Sequence, residues 1–237
     1  MSEKKYNILS TGPLSDQTVK AFQSTNVKLT VRPFIRIIPE ESEEVQLQIR
    51  QLADEKITAI FTSQHAVEAV TKQVKQADWK IFCIEGNTGR KLKEQFGEEA
   101  IVASAPNGAQ LLPKILSRSD SGSFYFFCGN QRLDLIPDGL REAGRDLTEI
   151  VVYKTVEEPV LIDEKPDGIL FYSPTAVRSF FSVNRPEEET VLFSIGLTTT
   201  EAIKEFTDKK IITSEVADKT RMVESAIAYF GNLVERK

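Results

Sequence analysis

The sequence predicts an α/β protein of two lobes, each built on a parallel sheet with helices on both faces. Three observations carry this. Short apolar runs alternate with amphipathic stretches almost from end to end, which is the order of repeated β-α units. A block recurs at a constant offset: Phe61-Thr-Ser-Gln-His-Ala-Val resembles Phe171-Tyr-Ser-Pro-Thr-Ala-Val, and Gly86-Asn-Thr-Gly resembles Gly196-Leu-Thr-Thr, both 110 residues apart. Seven of 21 positions in 61–70 and 86–96 match their partners, against roughly one or two from average composition. Finally, 237 residues at 41% apolar content suffice for one large core or two modest ones.

The predicted strands are Asn7–Leu9, Thr58–Thr62, Lys80–Ile84, Ala100–Ala103, Phe124–Cys128, Gly168–Tyr172, Val191–Ile195 and Lys210–Thr213. They are short apolar runs, below the usual length of a helix. Helical periodicity follows most of them, in Ser15–Gln23, Gln64–Lys75, Thr88–Gln95, Ala109–Leu116, Leu133–Ala143, Thr175–Ser182, Thr199–Phe206 and Lys219–Val234. Two further extended runs, Lys28–Ile38 and Asp146–Val156, have no helix directly between them and their nearest strand neighbour and are read as a pair of linkers. The first β-α unit, Asn7 to Gln23, has no core of its own and must join one lobe.

Composition excludes several functions. A net charge of −5 with interspersed signs gives no basic segment for nucleic acid. No apolar run approaches the roughly 20 residues that span a bilayer, and Met1-Ser-Glu-Lys-Lys-Tyr does not open like an export signal. A cytoplasmic protein with no membrane partner is expected. Cys83 and Cys128 lie in apolar strands and read as small buried side chains rather than a disulfide or metal site. His65, the one histidine, follows Ser63 too closely for a serine triad and has no evident acid to orient it, so a capping or exposed role is expected. No turn matches a phosphate-binding loop or a dinucleotide fingerprint, so neither a nucleotide cofactor nor a metal is expected.

In parallel α/β sheets ligands bind beyond the C-terminal strand ends. Here those ends read Ser10-Thr-Gly, Thr62-Ser63, Gly86-Asn-Thr88, Pro106-Asn-Gly, Gly129-Asn130, Ser173-Pro-Thr and Gly196-Leu-Thr198-Thr199. Each taken alone is an ordinary helix cap. Their number, on two lobes expected to face each other across a cleft, suggests a site for anions at helix starts.

These turns, in order, resemble the uroporphyrinogen-III synthase family over nearly the whole chain. The resemblance rests on Phe61-Thr-Ser-Gln-His-Ala-Val-Glu-Ala, Gly86-Asn-Thr-Gly, Gly129-Asn-Gln-Arg-Leu-Asp-Leu-Ile-Pro-Asp-Gly-Leu-Arg-Glu-Ala-Gly, Val152-Tyr-Lys-Thr, Phe171-Tyr-Ser-Pro-Thr-Ala-Val and Ile195-Gly-Leu-Thr-Thr. Gln64 and Leu197 stand where the family often has proline. The resemblance implies two flavodoxin-like lobes joined by a two-stranded β linker. One lobe would be 1–34 plus 157–237 and the other the inserted 38–150, with linkers near 28–38 and 146–156 side by side. It implies a cofactor-independent reaction in a monomer: hydroxymethylbilane, a linear tetrapyrrole with eight carboxylates, loses its terminal hydroxyl and closes with ring D inverted. By the same resemblance Tyr153 is the candidate proton donor. Ser63, Thr88, Ser173, Thr198 and Thr199 would position substrate. Lys154 and Arg132 could pair with substrate carboxylates, although exposed cations usually do nothing specific. Two alternatives remain open: a non-catalytic two-lobed sensor of an acidic tetrapyrrole or other small ligand, and a solute-binding protein for sugars or amino acids.

Overall fold

The computed structural model describes residues 5–23, 25, 27–118 and 122–235. Residues 1–4, on which the expectation about an export signal rests, lie outside the described residues.

The chain runs β1 (Tyr6–Ser10), α1 (Asp16–Gln23), β2 (Val27–Val31), β3 (Ile35–Pro39), α2 (Glu43–Leu52), β4 (Thr58–Phe61), α3 (Gln64–Gln73), β5 (Lys80–Ile84), α4 (Asn87–Phe96), β6 (Ile101–Ala105), α5 (Gly108–Leu116) and β7 (Phe124–Gly129). It continues through α6 (Leu135–Glu142), β8 (Leu147–Glu157), β9 (Gly168–Phe171), α7 (Pro174–Val183), β10 (Val191–Ser194), α8 (Leu197–Lys204), β11 (Ile211–Thr213) and α9 (Lys219–Glu235). It divides into two compact units, Met1–Arg36 with Val156–Lys237, and Ile37–Thr155.

The discontinuous unit holds a five-stranded sheet in the order β11-β10-β9-β1-β2. Every pairing in it is parallel. Successive side chains of a strand face opposite ways, and the burial follows. Tyr6, Ile8, Leu170 and Phe193 pack with Met222, Val223 and Phe230 of α9 on one face. Leu9, Ile169, Phe171 and Leu192 pack with Val177, Phe180 and Phe181 of α7 on the other. The orphan first β-α unit therefore belongs here. Gly168 is required by this packing, since a Cβ would lie 2.8 Å from Ile8 and 2.9 Å from Phe230.

The continuous unit holds a six-stranded sheet in the order β3-β8-β7-β4-β5-β6. Ala59, Phe61 and Phe127 face α2 and α3, while Ile60, Phe124 and Phe126 face α5 and α6. Trp79 stacks on Phe127 at 5.4 Å, and its indole N–H donates to the Leu52 carbonyl at 2.8 Å. That bond ties the end of α2 to the core.

The expected α/β class with two parallel-dominant sheets is the one observed. Three details go beyond the expectation. The run 28–38 is two strands: β2 joins the first sheet beside β1, and β3 joins the second. The break falls at Arg32-Pro33, where proline offers no N–H to a ladder, and Phe34 turns into the core against Phe180 at 5.2 Å. The run 146–156, read as extended, is the strand β8, which pairs in parallel with β7 from Leu147 to Tyr153. Lastly, α2 occupies 43–52, where no helix is expected; Val45, Ile49 and Leu52 form its inner stripe. The divisions between units fall inside β3 and β8, which are sheet neighbours. Glu40 N–H donates to the Val152 carbonyl and Glu158 N–H to the Phe34 carbonyl, both at 2.9 Å.

Candidate functional site

The 110-residue repeat reappears as two kinds of helix start. Ser63 and Ser173 are N-caps whose side chains accept from the N–H of His65 and of Ala176, each at 3.2 Å. Pro174 at the first turn of α7 suits its fixed φ. Gly86 and Gly196, by contrast, begin α4 and α8 with no side-chain cap. Gly86 has φ +74°, which favours glycine; Gly196 is simply extended at φ 173°. Serine caps thus occupy one pair of equivalent turns, and uncapped backbone N–H groups the other.

The expected substrate residues lie at these starts. In the continuous unit Ser63 follows β4 and Thr88 lies in the first turn of α4. In the discontinuous unit Ser173 follows β9, and Thr198 and Thr199 lie in the first turn of α8 after the adjacent strand β10. Thr198 is exposed. Thr88 and Thr199 are only 4% and 2% exposed, and their hydroxyls have no hydrogen-bond partner among the described residues. Neighbouring Thr200 is committed internally, bonding Thr213 at 2.7 Å.

Tyr153 stands opposite Gly129, at an irregularity that shifts the β7–β8 register after Cys128. Only glycine leaves room for its ring: a Cβ at 129 would lie 2.4 Å from Tyr153 Cζ and 2.8 Å from its Oη. Burial pushes the phenol above the usual tyrosine range, partly offset by the Ser63 hydroxyl, which favours the charged form. At neutral pH Tyr153 is therefore a proton-bearing donor. Of the six candidates, Ser63 and Tyr153 are brought together.

Two groupings are not evident from the sequence reading. First, the His65 ring meets Tyr153 edge-on, with centroids 5.7 Å apart. Its Nδ1 lies 3.2 Å from Glu68, one helical turn on, and Glu68 also pairs with Lys91 at 2.9 Å. The expectation that no acid orients His65 is thus corrected; the i,i+3 spacing on α3 is the readable clue. Burial raises the Glu68 carboxyl, but its bonds to Lys91 and His65 prevail and hold it below the usual range. Second, Ser10 Oγ donates to the Gly12 carbonyl at 2.7 Å, so the Tyr172 phenol donates to Ser10 at 2.9 Å. Gly12 faces that ring, where a Cβ would sit 3.0 Å from Cδ2. Lys219 lies over the ring at 4.8 Å and donates to the Pro13 carbonyl at 2.9 Å.

The two cations considered for substrate carboxylates are occupied by the protein itself. Arg132 pairs with Glu149 and Asp134, and Lys154 with Glu40 at 2.6 Å. Cys83 and Cys128 are free and buried, and burial lifts each thiol to about 11. Among the described residues no group of three or more His, Cys, Asp or Glu is placed to hold a metal ion, and no helix is long and apolar enough to cross a membrane.

A family model described as Uroporphyrinogen-III synthase HemD matches residues 16–224. The chain belongs to that family. Its reaction is accordingly the cyclisation of hydroxymethylbilane to uroporphyrinogen III with loss of water. Two solved structures share the fold. A mutant uroporphyrinogen III synthase of Thermus thermophilus is 15% identical, covers 98% of this chain and 100% of its own, and has a TM-score of 0.65. A uroporphyrinogen-III synthetase of Helicobacter pylori 26695 is 16% identical, covers 94% of this chain and 99% of its own, and has a TM-score of 0.68. No curated protein sequence is a significant match. None of these findings favours a sensor or a solute-binding protein.

Proposed function

We propose that the chain removes the terminal hydroxyl of hydroxymethylbilane with Tyr153 as proton donor, and that the strand-end turns hold the tetrapyrrole so that the substituted carbon of ring D attacks first. The observation that carries this is the phenol of Tyr153, seated against Gly129, beside Ser63 and kept protonated by its surroundings.

The chemistry needs little else. Tyr153 O–H gives its proton to the leaving hydroxyl, the C–O bond breaks and water departs. The resulting azafulvenium cation is electrophilic at its methylene carbon and would close unaided onto the open position of ring D. Inversion instead requires the substituted carbon to bond first, through a spiro intermediate, so selectivity comes from geometry. Thr88 and Thr199 supply hydroxyls without protein partners among the described residues, and Ser63, Ser173 and Thr198 supply further ones. The starts of α4 and α8, with no side-chain cap, leave backbone N–H groups to meet an anion. Each helix start favours an anion by about 0.3–1 kcal/mol, and a substrate with many carboxylates sums several. A protein of net charge −5 gains its hold on such a substrate from local donors rather than bulk attraction.

We read it as a monomeric cytoplasmic enzyme that uses no cofactor. Both cysteines are free, as a reducing compartment keeps them. The test is Tyr153→Phe, which keeps the ring and deletes the proton. Turnover should fall about 10²-fold, the low end for general acids because this leaving group is labile. Product binding and the share of inverted isomer should persist. Wild-type turnover in the Phe variant would remove Tyr153 from the mechanism.

A further inference from the structure

We infer that His65, oriented by Glu68, is the proton store that spares Tyr153 from becoming a half-buried phenolate during turnover. This rests on the assignment of Tyr153 as donor. Giving up its proton leaves Tyr153 charged in surroundings that disfavour the charge, as the raised phenol shows. A neighbouring group able to hand over a proton at that moment lowers the cost, and imidazole is the side chain that carries or lacks one near neutrality.

The geometry meets each requirement. His65 is the only histidine in the chain and lies edge-on to the Tyr153 ring. Its backbone N–H bonds the same Ser63 hydroxyl that favours the charged form of the Tyr153 phenol. Glu68 engages Nδ1, which leaves Nε2, without a partner among the described residues, as the nitrogen that gains and loses the proton. The charged and titratable groups around it are Glu68 on α3 itself, Lys91 from α4, and Tyr153 from β8 with Cys128 of β7 behind it. Lys91 answers one Glu68 oxygen and His65 the other. The Cys128 thiol, raised to about 11, stays neutral.

The step balances. The imidazolium proton passes to the Tyr153 oxygen across one hydroxyl or water, as the Tyr153 proton joins the leaving hydroxyl to form water. The ring D carbon sheds one proton when the pyrrole becomes aromatic again, and that proton returns to His65. Hydroxymethylbilane has become uroporphyrinogen III and water, with the protein unchanged. His65 acts through Tyr153 and is a positioning residue. Were the pair merely an i,i+3 surface contact, it would contribute a little stability and no pH dependence of turnover.

The experiment is the pH profile of turnover on freshly made hydroxymethylbilane, corrected for unaided closure, for the wild type, His65→Gln, Glu68→Gln and Tyr153→Phe. Wild-type turnover should fall as pH rises through the imidazole range. His65→Gln should lose that limb and run roughly tenfold slower at about pH 6, a smaller effect than the roughly 10²–10⁴ of a direct acid. Glu68→Gln should slow turnover less than His65→Gln does, because the ring stays in place but loses the carboxylate that orients Nδ1. A wild-type profile in His65→Gln, with Tyr153→Phe impaired, overturns the proton store alone. Wild-type turnover in Tyr153→Phe overturns the assignment beneath it. Should His65→Gln fail to fold, the imidazole resonances of the wild type decide: their chemical shifts at fixed pH should move in Tyr153→Phe and on adding product, because the two rings touch, and unmoved shifts overturn the inference.

Discussion

Gly129→Ala adds one methyl group where the structure has no room for it. The new Cβ would lie 2.4 Å from Tyr153 Cζ and 2.8 Å from Oη, whereas ordinary contact begins near 3.4 Å. The clash is with a side chain, so the phenol gives way before the backbone does, by about 1 Å. A displacement of that size at a reacting group costs up to about 10²-fold in rate, and it also moves the phenol from its place beside Ser63. Steady-state turnover and the melting temperature should be measured together. Turnover should drop toward that of Tyr153→Phe, with most of the stability retained. Gly231→Ala is the control: its Cβ meets nothing within 4 Å, at an exposed position of α9, and it should gain roughly 0.5–1 kcal/mol with unchanged turnover. Wild-type activity in Gly129→Ala would refute the idea that this seat positions Tyr153.

Other outcomes follow from the same geometry. Thr199→Ala should lower turnover by about one to two orders of magnitude, as a lost positioning contact does. A loss of stability alone, with activity per folded molecule intact, would return Thr199 to packing. Burial holds the Tyr172 phenol far above its ordinary value. Its folded pKa exceeds the unfolded value of about 10, so its contribution to stability is complete below that value and is lost as pH rises further. Between about pH 9 and pH 11, the urea midpoint should drop more steeply in the wild type than in Tyr172→Phe; equal slopes would contradict this.

Much of the fold is legible in the sequence because buried parallel strands read as short continuous apolar runs. Phe124–Cys128 and Gly168–Phe171 are buried almost throughout, so little polar alternation blurs them. The helix α2 is hidden by its composition. Val45, Leu47 and Ile49 alternate with glutamines and imitate a strand, yet Leu47 is 49% exposed, and the true stripe skips it. The run 28–38 reads as one piece because Pro33 interrupts it without a glycine or a polar cluster to mark a turn. At the site, the serine caps and glycine starts follow from helix-start chemistry and the 110-residue repeat. Tyr153 does not: nothing local distinguishes it from other strand tyrosines, and its role is suggested by resemblance, while its seat on Gly129 needs the β7–β8 register shift. His65 escapes a search for a serine triad; its acid shows only along its own helix, where Glu68 is one turn away.

Whether this chain directs closure of hydroxymethylbilane to the inverted macrocycle is decided by one assay. Freshly made hydroxymethylbilane is supplied to the protein, the products are oxidised, and the isomers are separated by chromatography. The type III isomer should dominate, and its formation should scale with protein concentration. Type I alone, formed at the rate seen without protein, would contradict the assignment.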